Sequence, residues 1–219
     1  MESLLDRAFF LAPPEEVAVR LLGCTLLRHS AAGPLAGRIV EAEAYLGPHC
    51  TPPDPAAHAF RGPTPRNQVL FGPAGHAYVY SIYGQYFCMN ISCEPEGRAG
   101  CVLLRALEPT LGLEAMARNR GLTVDARPAE LTSGPSRLCQ ALGLSRAFAN
   151  GLDLLDSASP LQVLAGTIPE QDKRTSPRIG IQEAVDWPLR FFVAGNGCVS
   201  GPRRLNRSGE EVRSAHRRP

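Results

Sequence analysis

The chain has 219 residues, 44% of them hydrophobic, and a formal net charge of +2. That length suits one domain with a real core, and the near-neutral charge excludes a strongly basic coat for nucleic acid. No apolar run reaches the length of a membrane span, and the first residues, with Glu2 and Asp6 and a short apolar run at 8–12, do not form a secretory signal. A soluble, intracellular protein is therefore expected. The 7 cysteines show no C-x-x-C pair and read as reduced, mainly buried thiols. A zinc site from His49, Cys50 and His58 is conceivable, but no second pair stands at ligand spacing, so no metal is expected. Lys173 is the only lysine, which leaves 22 arginines among 23 basic residues; GC-rich coding accounts for most of that bias.

In chain order, residues 3–11 and 15–22 have helical spacing, with Pro13 and Pro14 marking the second start. Residues 24–29 and 35–45 read as a hairpin turning at 31–34. In its second strand Ile39, Glu41, Glu43 and Tyr45 share one face, and Val40, Ala42 and Ala44 share the other. The two glutamates thus stand about 7 Å apart on one side. Residues 46–65 form a proline-rich loop of a length that is usually functional. Thr64-Pro65 reads as a helix start running to Leu70. A hairpin follows over 78–90, then a strand at 101–107, an amphipathic helix at 110–120 and a helix at 135–142. Short strands are expected near 161–164, 178–181 and 189–193. The whole predicts an α+β fold: one compact domain over 1–201, with a curved, mainly antiparallel, barrel-like sheet, surrounding helices and a protruding β-hairpin. Residues 202–219 carry six arginines without apolar periodicity and are expected to form a disordered basic tail.

The hairpin at 78–90 is the most informative stretch. It holds four of the 5 tyrosines, Tyr78, Tyr80, Tyr83 and Tyr86, folded about Gly84. Tyr83 falls beside the glycine, where a ring cannot easily reach a core. Taken alone, this is a core hairpin whose tyrosines keep their hydroxyls wet. Its company changes that reading. Upstream stands Val40-Glu41-Ala42-Glu43-Ala44-Tyr45-Leu46-Gly47-Pro48, then Ala56-Ala57-His58 and Arg61-Gly62-Pro63-Thr64-Pro65-Arg66-Asn67. Downstream come Cys101-Val102-Leu103-Leu104-Arg105-Ala106-Leu107-Glu108-Pro109, Ser133-Gly134-Pro135-Ser136-Arg137-Leu138-Cys139-Gln140 and Pro188-Leu189-Arg190-Phe191-Phe192-Val193. In that order the blocks closely resemble the alkyladenine (3-methyladenine) DNA glycosylase family over residues 5–200. Several uncommon blocks in register are far more specific than one short motif.

The resemblance implies an enzyme that extrudes an alkylated or deaminated purine from double-stranded DNA and hydrolyses its N-glycosidic bond. A carboxylate near the sugar can activate water and offset developing positive charge. Glu43 matches the family's general base, with Glu41 as the confounder on the same face. Arg105 matches the arginine beside the water, and an arginine between Leu104 and Ala106 needs a buried anion, naturally Glu43. The Ile179 carbonyl matches the water's remaining acceptor. Tyr45, His58 and Tyr80 match the aromatic walls of the base pocket; Asn90 and Leu103 match its floor, where a clash would exclude the 2-amino group of guanine. Tyr83 matches the side chain that fills the vacated stack. Thr64 and Arg66 are candidates for DNA contact. No cofactor is implied, a monomer is expected, and a bacterial source would make the protein cytoplasmic and nucleoid-associated.

Strand-cleaving glycosylases need an amine nucleophile. Lys173 lies in the polar run 170–174, so a monofunctional hydrolase is expected. Two alternatives use the same residues: a catalytically silent binder of distorted nucleic acid that keeps the wedge, and a hydrolase of small glycosides built on Glu41 and Glu43.

Overall fold

The computed structural model describes residues 3–212. It opens with a 3-10 turn at Arg7–Phe10, shorter than the helix expected from Ser3. Asp6 caps it, accepting from the Phe9 amide, and Pro13 and Pro14 prevent its continuation. Helix α1 (Pro14–Leu21) follows, then the hairpin of β1 (Thr25–Arg28) and β2 (Leu35–Tyr45). The second hairpin is β3 (Ala77–Ile82) and β4 (Tyr86–Cys93), followed by the long strand β5 (Gly100–Leu111). Four short helices come next: α2 (Leu113–Arg120), α3 (Pro128–Thr132), α4 (Pro135–Ala141) and α5 (Arg146–Ala149). Strands β6 (Leu161–Leu164), β7 (Lys173–Ser176) and β8 (Arg190–Val193) complete the interior. The described chain ends in α6 (Arg203–Arg207) and β9 (Glu210–Glu211).

All strand pairs are antiparallel and form one sheet in the order β3-β4-β5-β2-β8-β7-β9, with β1 bridging β2 and β6. The α+β class holds, but the sheet stays open: β3 and β9 are free edges, so it does not close as a barrel. One face packs Val40, Ala42 and Ala44 of β2 with Met89, Ile91, Val102 and Leu104 against Val17 and Leu21 of α1 and Leu138 of α4. Each fully buried aliphatic side chain there contributes roughly 1.5–3 kcal/mol relative to exposure. All seven cysteines are buried and none forms a disulfide. Among the described residues no helix is long and apolar enough to cross a membrane.

Several expected boundaries move for local reasons. The helix at 110–120 starts at Leu113, because β5 runs on to Leu111 and Gly112 turns the chain at φ 77°. The helix expected from Thr64 is only a 3-10 turn, Gln68–Phe71. Asn67 Oδ1 accepts from the Thr64 amide at 2.6 Å and its hydroxyl at 2.9 Å, a local closure that competes with helix. The strand expected at 178–181 lies earlier, at Lys173–Ser176: Pro177 lacks a donor and Gly180 turns at φ 80°. Two helices between β5 and β6 were not expected. One has Pro128 in its first turn; the other is capped by Ser145, which accepts from the Phe148 amide at 3.2 Å.

The tail departs most. Instead of starting disordered at Pro202, it forms α6 and then pairs β9 with β7. Asn206 ties it down, its Oδ1 accepting from Arg190 at 2.7 Å. Of its six arginines, Arg213, Arg217 and Arg218 lie outside the described residues.

Candidate active site

The register of the sheet sets out the site. Arg190, Glu43, Leu103, Asn90 and Tyr78 stand opposite one another across β8, β2, β5, β4 and β3. Paired residues project to the same side, so all five side chains share one face. The next paired positions on that face bring Tyr45 opposite Cys101, and Tyr80 opposite Cys88. This is the face away from Val40, Ala42 and Ala44.

The alternation of β2 is broken just before this patch. Ile39 pairs with Leu107, Glu41 with Ala106 and Ala42 with Leu104. Val40 is thus extra on β2, and Arg105 is extra on β5. Ile39 joins the core with Val40 instead of sharing the glutamates' face. Bulges of this kind re-aim side chains and recur beside active sites. Here the bulge turns Arg105 onto both glutamates.

Both carboxylates are fully buried, whereas an isolated strand glutamate would face solvent. Glu41 is saturated. Its Oε1 accepts from Arg105 Nε at 3.0 Å and Arg190 Nε at 2.7 Å, and its Oε2 accepts from the Ser200 amide at 2.7 Å. Burial pushes this carboxyl up, but Arg105 and Arg190 together outweigh it and hold Glu41 below its ordinary range. Glu43 is held differently. Its Oε2 accepts from Arg105 Nη1 at 3.2 Å and from the Tyr45 hydroxyl at 3.0 Å. Its Oε1 accepts from the Ile179 amide at 2.7 Å. Here burial outweighs Arg105, and Glu41 nearby adds to the effect, so Glu43 sits above its ordinary value. Arg105 is therefore a partner, as expected, but it does not by itself keep Glu43 strongly acidic. At Ile179 the sequence points to the carbonyl; the contact to Glu43 is made by the amide.

The aromatic residues gather beside this pair. Tyr45 and Tyr80 pack against a small cluster of Ala59, Leu70, Tyr78, Ala99 and Cys101. His58 is exposed on its loop and meets Tyr80 edge-on, centroids 4.5 Å apart, while its Nδ1 lies 3.0 Å from the Tyr78 hydroxyl. Desolvation of the ring where it meets Tyr78 and Tyr80, then Arg66, lowers the His58 pKa, which favours neutral imidazole. Burial raises the hydroxyls of Tyr45 and Tyr80 and pushes Tyr78 up to about 12. Asn90 and Leu103 are buried between Glu43 and Tyr78. Arg66 leans over Tyr80 at 5.6 Å and, like Thr64, is exposed. A cleft of about 240 Å³ opens here, lined by Pro55, His58, Arg61, Thr64, Arg66 and Tyr78. It lies beside the imidazole and does not include Glu43.

Tyr83 stands at the hairpin tip between Ile82 and Tyr86, which still pair. It is 90% exposed and adopts φ 50°, a left-handed conformation that costs a non-glycine residue about 1–2 kcal/mol. The next residue, Gly84, takes φ 75° without that cost. The Tyr83 ring is thus held uncovered, in a strained backbone conformation, and reaches no part of the core.

Sequence reasoning missed the groups behind the carboxylates: Arg190, Ser200, Asp54 and Arg178. Arg190, Ser200 and Arg178 arrive from distant segments, Asp54 from the loop after β2, and burial of a charge has no signature in one sequence. The residues once considered for zinc are otherwise engaged, since His49 Nε2 lies 3.0 Å from Glu94 Oε1 and His58 meets Tyr78. Among the described residues no group of three or more His, Cys, Asp and Glu could hold a metal ion. Lys173 is not solvated as its polar run suggests; it is buried in β7, its Nζ 2.5 Å from Glu170 Oε1.

Comparison with known proteins places the chain in a family. The model of the methylpurine-DNA glycosylase family matches residues 8–197. A protein of Koribacter versatilis, provisionally named 3-methyladenine DNA glycosylase, is 50% identical over 204 residues, covering 92% of this chain and 95% of its own. A like-named protein of Rhodopseudomonas palustris is 50% identical, covering 91% and 89%. One from Methanoculleus marisnigri is 48% identical, covering 90% and 98%.

Proposed function

The chain belongs to the methylpurine-DNA glycosylase family, and on that premise we propose that it is a 3-methyladenine DNA glycosylase that flips damaged purines out of duplex DNA and hydrolyses them from the sugar. Tyr83 enters the stack from the hairpin tip and takes the place of the extruded nucleotide. The purine lies against Tyr45, His58 and Tyr80, above Asn90 and Leu103. Alkylation at a ring nitrogen makes it electron-poor or cationic, so it stacks well on these rings and leaves readily. Thr64 and Arg66 meet the DNA backbone.

Glu43 orients a water and takes its proton as the oxygen attacks C1′; the Ile179 carbonyl is its remaining acceptor. The glycosidic C–N bond breaks, and the base departs with the bonding electrons. Arg105 holds the carboxylate, which also offsets the charge on the sugar. The product is an abasic site with an intact backbone. Lys173 is ion-paired and buried, so no free lysine amine serves a lyase step.

The reading rests above all on one juxtaposition. A buried carboxylate, poised above its ordinary pKa, receives the hydroxyl of a pocket tyrosine at 3.0 Å on the face that also carries Tyr78 and Tyr80. Incubation with duplex oligonucleotides bearing hypoxanthine or ethenoadenine, beside an undamaged control, tests it. Free damaged base and an alkali-labile but uncut strand are expected. Release from none of the lesions would defeat the reading. Steady strand nicking without alkali would defeat the monofunctional part alone.

A further inference from the structure

Outside the residues already given roles, one buried ion pair connects to the site from both sides. Asp54 lies in the loop between β2 and β3, and Arg178 follows β7; both side chains are 0% exposed. The pair is bidentate, with Arg178 Nη1 2.6 Å from Asp54 Oδ2 and Nη2 2.9 Å from Oδ1. The same oxygens accept the amides of Leu46 and Ala56, each at 3.1 Å. One carboxylate thus closes the first part of the loop, from Leu46, next to Tyr45, to Ala56, two residues before His58. Arg178 also donates to the Ala44 carbonyl at 3.1 Å, and its guanidinium lies 4.6 Å from the centroid of the Tyr45 ring.

Each of these contacts leads to Glu43. The Tyr45 ring that rests on Arg178 carries the hydroxyl that donates to Glu43 Oε2. The residue after Arg178 is Ile179, whose amide donates to Glu43 Oε1. Arg178 therefore fixes one donor to each oxygen, one through a ring and one through the chain. Bonds to the ionised form make a carboxyl more acidic, and they work only at short range and good alignment. The other charged or titratable groups around Glu43 are Arg105 on β5, Glu41 and Tyr45 on β2, and Cys88 on β4; Arg190 on β8 acts through Glu41. A buried ion pair about breaks even against apolar packing in stability, so this one is better explained by what it holds in place.

Resting on the reading of Glu43 as the water-activating base, we propose that Asp54 and Arg178 are a positioning pair that keeps the Tyr45 hydroxyl and the Ile179 amide on the two oxygens of Glu43. The pair couples the loop bearing His58 to the chemistry, so a shift in that loop reaches the base as well as the pocket.

The test is the pH profile of single-turnover base release from a lesion-bearing duplex. Asp54→Asn keeps the shape and removes the charge. Its acid limb is expected to move up by about one pH unit, a tenfold change in proton affinity. The plateau rate should fall about tenfold or more, as misplacement of a reacting group does, with lesion binding changed much less. Arg178→Lys keeps the buried charge balanced but loses the fork and the flat stack. It should shift the limb the same way, and it carries the test if Asp54→Asn does not fold. Adding Tyr45→Phe to either should shift the limb by less than the sum, because part of the path is already cut. An unmoved acid limb in a folded variant overturns the proposal, and so does failure of both variants to fold, since the pair would then be a structural staple. No base release by the unaltered protein would instead refute the glycosylase reading, so the two failures are distinct.

Discussion

Arg105 has two ends, and the surroundings of each end differ more than the residues do. At the inner end Glu41 meets two arginines and a backbone amide, and the C-terminal segment closes over it through Ser200 and Asn206. At the outer end Glu43 meets one arginine, an amide and a phenol, next to the aromatic pocket. Both are glutamates on one strand, equally buried, yet Glu41 is shifted down and Glu43 up. The difference shows that neither burial nor a shared arginine alone sets the direction of a carboxyl's shift; the balance of cations and donors against burial does.

The largest expected effect tests the outer end. Glu43→Gln should lower base release by roughly 10²- to 10⁴-fold, the usual weight of a general base. Lesion binding, measured by fluorescence anisotropy, should survive, and the thermal midpoint should hold or rise. A variant within tenfold of the parent would break the comparison. The inner end answers in stability. Glu41→Gln leaves Arg190 buried without its anion and should cost about 3–5 kcal/mol in denaturant unfolding. If the two substitutions destabilise equally, the ends are not distinct.

Acidity separates the ends again, with opposite signs. Glu41 has a folded pKa below the ordinary 4.5, so its stabilisation is present above that value and is lost as pH falls through the folded one. Glu43 has a folded pKa above 4.5, so the fold gains nothing from its ionisation, and base release should fall as pH drops through a midpoint higher than 4.5. A rate that stays flat to pH 4.5 would remove Glu43 from the chemistry. The smallest stability effect is expected outside both ends. Tyr83→Ala should change unfolding free energy by less than about 0.5 kcal/mol, since the ring is uncovered. It should nevertheless slow release from duplex about tenfold, equivalent to ~1.4 kcal/mol, and from single strands far less. Equal slowing on both would mean that Tyr83 does not act in the stack.

Much of the frame was legible because its signals are local. Gly84 among alternating tyrosines marks a hairpin, and Val40, Ala42 and Ala44 mark a packing face. The meeting of Glu43, Arg105 and Tyr45 was legible only through the order of several blocks, since a strand glutamate alone looks solvated. The bulge was not legible: no residue type announces that Arg105 falls out of register, and Ile39 was assigned to the wrong face for that reason. Nor were Arg178 and Arg190, which reach the site from segments more than 130 residues beyond their partners' strand. The order of the tail's start is hidden by its arginine-rich composition, because it rests on specific ties, Asn206 to Arg190 and the pairing of β9 with β7.

The buried thiols have a chemical corollary. For Cys88, Cys93, Cys101, Cys139 and Cys198, burial holds the sulfur in its neutral SH form to higher pH than usual. Only the anion is a good nucleophile. Alkylating reagents act chiefly on exposed thiolate, so sulfurs held buried and neutral at these five positions are poor targets for them.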